Sequence, residues 1–192
     1  LYVRGGDSVV ISNSTISGNE SSGAGGGAHL SDMDELQSVD STIADNSTGN
    51  DGGGLDLDDI DSAAIVRSTM SGNVGDDYGG ALSLYGTPLT VDSSTLYGNQ
   101  ARVGGAVFVR LYEPQSLSFE HSTLDLNTDG DGAAFAGELD DLAFDHSIVS
   151  GSAVNEGGAA GPISVGEVQD APEITASWSL FEDLGITTIA DG

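Results

Sequence analysis

Apolar residues in this chain come in pairs separated by one variable residue, and the pairs return at nearly constant intervals. The phrases GGGAHL (25–30), GGGLDL (52–57), GGALSL (79–84) and GGAVFV (104–109) show this best, with GAAFAG (132–137) and GGAAGP (157–162) as degraded copies. Ala28, Leu55, Leu82, Val107 and Phe135 form one apolar column, and Leu30, Leu57, Leu84 and Val109 form a second. The residues between the columns, His29, Asp56, Ser83 and Phe108, vary freely. Period-two alternation with a variable outer position predicts a short, half-buried strand.

A second alternating segment supplies Val9/Ile11, Leu36/Ser38, Ala63/Ile65, Leu89/Val91, Leu117/Phe119, Leu142/Phe144 and Ile174/Ala176 as its inward pairs. Two residues then break the parity before a third phrase: STISGN (14–19), STIADN (41–46), STMSGN (68–73), STLYGN (94–99), STLDLN (122–127) and SIVSGS (147–152). The first Ser of these phrases steps by 27, 27, 26, 28 and 25 residues. Self-similarity at such a period marks a stacked-repeat architecture. Clusters of Gly and Asp, such as NESSGAGG, NSTGNDGG and NVGDDYGG, fall between the apolar segments and predict turns.

An amphipathic strand cannot bury its apolar face alone; stacking each coil on the next buries the columns in one core. The expected fold is therefore all-β, a single right-handed parallel β-helix (solenoid) of about seven coils with three short strands per coil. The coils are placed at about 1–24, 25–51, 52–78, 79–103, 104–131, 132–156 and 157–192, in one domain about 34 Å tall. Asn19, Asn46, Asn73, Asn99 and Asn127 should then stack as an amide ladder. Helix is disfavoured, because no 3.6-residue apolar stripe exists and Gly interrupts throughout.

Charge narrows the partners. Four Arg, no Lys and 31 acidic residues give a formal charge of −27, which repels nucleic acid and anionic lipid and suits cations, basic partners or a saline medium. No Cys is present, so neither disulfides nor a thiolate metal site can form. No run of about 20 apolar residues is present, so membrane insertion is not expected. The opening Leu1-Tyr2-Val3-Arg4 reads as the middle of a repeat, so the chain is expected to be a segment of a longer protein.

Gly79-Gly80-Ala81-Leu82 and Gly104-Gly105-Ala106-Val107, with Thr/Ile-x-x-Asn in the place of strict FxxN, resemble the GGA[ILV] and FxxN repeats of polymorphic outer-membrane proteins and autotransporter-like adhesins. The resemblance spans nearly the whole chain. It implies a right-handed β-helix in a secreted or surface-anchored bacterial protein, and a non-catalytic extracellular role in which a glycan or cell-surface ligand is the partner. A carbohydrate-active lyase or hydrolase fragment is the alternative, since such enzymes share the scaffold. Self-stacking into a fibre through open coil ends is a third reading.

Three groups of residues carry candidate chemistry. Asp32, Asp34 and Glu35 in one coil and Asp58, Asp59 and Asp61 in the next should stack about 5 Å apart and could hold Ca²⁺; no cofactor is otherwise required. Glu120-His121 and Asp145-His146 occupy equivalent positions in adjacent coils, where two imidazoles and two carboxylates could face a transition metal. Tyr85, Phe108 and Tyr112 could stack on sugar rings or anchor a partner. The outward rank Thr15, Thr42, Thr69, Thr95 and Thr123 lacks a clean second rank for ice binding, because Tyr97 and Asp125 interrupt the neighbouring column.

Overall fold

The computed structural model describes residues 1–110, 116–128, 135–137, 141–150, 163–165, 173–177 and 179–181. They form an all-β parallel solenoid built from three sheets of 12, 7 and 3 strands. No helix occurs among these residues, so none is long and apolar enough to cross a membrane. They make about five complete turns, not the seven expected. The strands of two further rungs (Phe135–Gly137, Asp141–Asp145, Ile148–Ser150 and Ile163–Val165, Glu173–Ser177, Leu180–Phe181) continue the same columns. The repeat that sets a regular coil weakens at that end: its Gly phrase degrades, and the spacing from Ser147 to Ser179 widens.

The largest sheet takes both alternating segments. Leu30, Leu57, Leu84 and Val109 stand in register, as do Ala28, Leu55, Leu82 and Val107, and all eight are fully buried. The second segment lines up equally well, Leu36 on Ala63, Leu89, Leu117 and Leu142, with Ile65, Val91, Phe119 and Phe144 beside them. Phe119 and Phe144 stack with ring centroids 5.1 Å apart. Stacking removes these columns from water, and at about 25 cal/mol per Å² that burial is the main force holding coil to coil.

Three clean strands per coil do not form. In the second and third coils the two segments fuse into 12-residue strands, Ala28–Val39 and Leu55–Val66. They bend at Asp32 and Asp59, which adopt φ of 55° and 51°. Asp tolerates this left-handed conformation, so the ladder continues through the corner and pairs Met33 with Ile60. One coil later the same corner reads Gly86-Thr87-Pro88, and the strand splits into Leu82–Tyr85 and Leu89–Asp92. Pro88 has no N–H to give to a ladder. Thr87 fills in with its side chain, its buried Oγ1 accepting from the Ile60 N–H at 3.1 Å.

The seven-stranded sheet starts at the Ser-Thr phrases, Thr15–Ser17, Thr42–Ala44, Thr69–Ser71, Thr95–Tyr97 and Thr123–Asp125. Two ladders of side chains flank it. Each phrase's Ser turns inward and accepts from the backbone N–H of the Ser one coil earlier, at 3.0–3.2 Å from Ser14 through to Ser179. Each Asn amide donates to the next Asn, 2.8–3.0 Å from Asn19 to Asn127. The smallest sheet (Glu20–Ser21, Ser47–Thr48, Val74–Gly75) follows the Asn corner and was not foreseen from the alternation. Two-residue strands carry no readable period.

Candidate functional site

The acidic corner lies where the long strands bend. Asp32 accepts from Arg4 Nε at 2.8 Å, and Glu35 accepts from Gln37 Nε2 at 2.6 Å. Burial, and then the charge of Asp59, pushes the Asp58 carboxyl above its usual range. Asp34, Asp59 and Asp61 are exposed. No three of Asp32, Asp34, Glu35, Asp58, Asp59 and Asp61 bring ligand atoms within 4.8 Å of one another. The inward residues of this corner are Met33 and Ile60, 4% and 0% exposed, which the sequence reading left out of the core. Asp32 and Asp59 sit in the corner column of Gly5 and Gly86, all with positive φ, so conformation explains their presence.

The histidine edge is assembled differently from its sequence expectation. His121 and His146 occupy the left-handed corner (φ 49° and 48°) that also holds Asn13, Asp40, Arg67 and Ser93. Their rings stack at 5.2 Å, nearly parallel. His146 Nδ1 lies 2.8 Å from Asp145 Oδ1, whereas His121 Nδ1 faces Asp92 Oδ1 at 3.7 Å. A hydrogen bond from Ser177, then the two imidazoles, holds the Asp145 carboxyl below its usual range. The ligand atoms that come within 4.8 Å of one another belong to Asp92, Glu120 and His121, so Asp92 replaces Asp145 and His146 in the trio. Glu120 and His121 are exposed, and such an edge can take a divalent ion only in exchange for its water.

The aromatic residues pack on one another. Phe108 is 6% exposed and lies beneath Tyr78, ring centroids 4.3 Å apart, with Tyr85 at 6.2 Å. The Arg110 guanidinium sits 5.8 Å from the centroids of Tyr78, Tyr85 and Phe108, and Arg102 covers Tyr78 at 5.1 Å. Phe108 therefore has little surface left for a ligand, and Tyr112 lies outside the described residues.

The outer column of the Gly-rich strands departs furthest from expectation. Tyr2, His29, Asp56, Ser83 and Phe108 stand in register, but this face is not a freely varying surface. Asp56 is 3% exposed and Ser83 fully buried, and the turn of Asp51 and Gly52 lies against Asp56. His29 Nδ1 lies 2.5 Å from Asp56 Oδ2, and the Tyr2 ring stacks on His29 at 5.1 Å. Tyr85 donates its hydroxyl to Asp51 Oδ2 at 2.8 Å, and burial together with that bond raises its pKa. Burial pushes Asp56 up to about 6, against the hydrogen bond and charge of His29 and with the charge of Asp51. Asp51 Oδ1, Asp56 Oδ1 and Ser83 Oγ are buried without a hydrogen-bond partner. Local sequence offered one signal, a carboxylate in mid-strand between two core leucines. The turn lying against it could not be read, because Asp51 meets Tyr85 across 34 residues.

No family model, curated protein or solved structure matches the chain.

Proposed function

We propose that the chain is a non-catalytic, rigid repeat segment of an extracellular adhesin-like or surface structural protein, spacing or presenting a binding region. The observation that supports this reading is the pair of side-chain ladders. Serines bond rung to rung from Ser14 to Ser179 and asparagines from Asn19 to Asn127, so each coil is fixed to the next by side chains as well as backbone. Bending the axis means breaking several buried hydrogen bonds together. The Gly-Gly-Ala phrases shared with outer-membrane and autotransporter repeats, and the right-handed sense expected of parallel crossovers, belong to the same proposal. An acidic exterior keeps such a rod soluble outside the cell.

Val10 and Thr175 test the rigidity. They stand in one outward column, joined through Gln37, Ala64, Thr90, Ser118 and Ala143. Six rungs of about 4.8 Å place their backbones about 29 Å apart. The chain has no Cys, so spin labels on Val10→Cys and Thr175→Cys report that distance alone. A single narrow distribution near it is expected from pulsed dipolar spectroscopy, together with no turnover across a panel of neutral and acidic polysaccharides. A broad distribution, or cleavage of a polysaccharide that carboxylate substitution abolishes, overturns the spacer reading. Concentration-dependent growth into long particles replaces it with the fibre subunit.

A further inference from the structure

The covered outer column contains two carboxylates arranged alike. In Asp56 one oxygen, Oδ2, is held by His29 Nδ1 at 2.5 Å, and the other, Oδ1, is buried with no partner. In Asp51 one oxygen, Oδ2, accepts from the Tyr85 hydroxyl at 2.8 Å, and again Oδ1 is buried with no partner. Ser83 Oγ, on a fully buried side chain, lies between Asp56 and Tyr85 and interacts with both, without a hydrogen bond of good geometry to either. Ser83 pairs with Asp56 across one rung, about 4.8 Å of backbone separation. Tyr85 leaves the same face of the same strand two residues on, and through it Asp51 joins the group. Each carboxylate thus has one oxygen oriented by a second residue and one oxygen left over, the arrangement of a monodentate metal-ligating carboxylate with its supporting donor.

We infer that Asp51, Asp56 and Ser83 bind a hard divalent cation, of which Ca²⁺ is the first to test, with His29 and Tyr85 orienting the two carboxylates. The donors are all oxygen, which favours Ca²⁺ or Mg²⁺ over thiophilic or imidazole-seeking metals. Charge points the same way. Asp56 is buried and the half-buried Asp51 turns one buried oxygen beside it, with only an imidazole as countercharge, and such a pair either takes up a proton or holds a cation. Two positive charges neutralise both. An ion there would fasten the Asp51 turn onto the outer face of the strands beneath it.

A single water could instead donate to both Asp oxygens and accept from Ser83, so the experiment must separate the two. Protein stripped with chelator is titrated with CaCl₂ and MgCl₂ by calorimetry and by thermal melting, and with Tb³⁺ while exciting tyrosine. Expected are one bound ion per chain, a rise in Tm, and Tb³⁺ emission sensitised through Tyr85. Asp56→Asn, Asp51→Asn and Ser83→Ala should each weaken Ca²⁺ binding by about tenfold or more. Tyr85→Phe should weaken the sensitised emission, with Tyr2 beside His29 supplying the remainder, while Asp34→Asn with Asp61→Asn at the exposed corner should change neither affinity nor stoichiometry. Should Asp56→Asn fail to fold, Asp51→Asn and Ser83→Ala carry the test. An unchanged Tm with no heat of binding means water alone and overturns the proposal. Binding that survives all three substitutions and is lost in the Asp34/Asp61 variant also overturns it, moving the ion to the acidic corner.

Discussion

Asn73 shows how one residue type came to be fixed at one place in five successive coils. Its Oδ1 accepts from the Asn46 N–H at 3.1 Å and from Asn46 Nδ2 at 3.0 Å. Its Nδ2 donates to the Ile43 carbonyl and to Asn99 Oδ1, each at 2.9 Å. All four bonds are buried, so truncation strands donors on one neighbour and a carbonyl on another. The surface pair Arg67–Asp40 has better geometry, two bonds of 2.7 Å, but both side chains are about half exposed, and water and salt take most of its worth. Asn73→Ala should therefore cost about 3 kcal/mol in urea unfolding, and Arg67→Ala far less. Equal losses would show that the ladder is ornamental. The Asn column was legible because it repeats; the missing partners of Asp56 and Ser83 were not, because a partner is a property of position in space.

At the scale of the element, the glycine pairs divide their labour. Gly79 needs its left-handed φ of 64°, and a Cβ there would meet the Leu82 backbone of its own coil, whereas a Cβ at Gly80 would strike the backbone of Gly105 in the next coil and of Gln100 across its own coil. Gly98 shares a positive φ of 62° but faces open space. Gly80→Ala should thus force two coils apart and cost about 3 kcal/mol or more, while Gly98→Ala should cost only the conformational term, about 1 kcal/mol. Chemical denaturation of both variants checks the order, and a larger loss at Gly98 would contradict it. Strand interiors were read correctly from alternation, since Leu57 and Leu84 obey a period of two. Corners were not. Asp32 and Asp59 looked like a carboxylate cluster but serve as bends within continuous strands, and they brought Met33 and Ile60 into the core unannounced.

The whole molecule carries a charge of −27, and three of its four Arg are already paired with Asp32, Asp40 and Asp77. Self-repulsion is left to the solvent to screen, and the Debye length falls from about 10 Å at 0.1 M to about 3 Å at 1 M. Metal-free protein should therefore melt at a higher temperature as NaCl rises from 0.1 to 1 M, by calorimetry; a falling Tm would mean that attraction between charges outweighs repulsion.

The sequence alone determined the solenoid: inward columns, their register and the Asn ladder follow from a repeat in which each coil's apolar face can be buried only by its neighbours, whereas the Ser ladder emerged only with the backbone positions. Periodicity is a property of the chain, so the chain displays it. Tertiary structure decided the number of complete turns, the fusion of strands at the Asp bends, and which polar residues left the solvent. Asp56 and Ser83 were written as surface and became interior, with the turn of Asp51 and Gly52 lying against Asp56 and meeting Tyr85. That closure depends on backbone path and distance, which no local pattern of residues encodes.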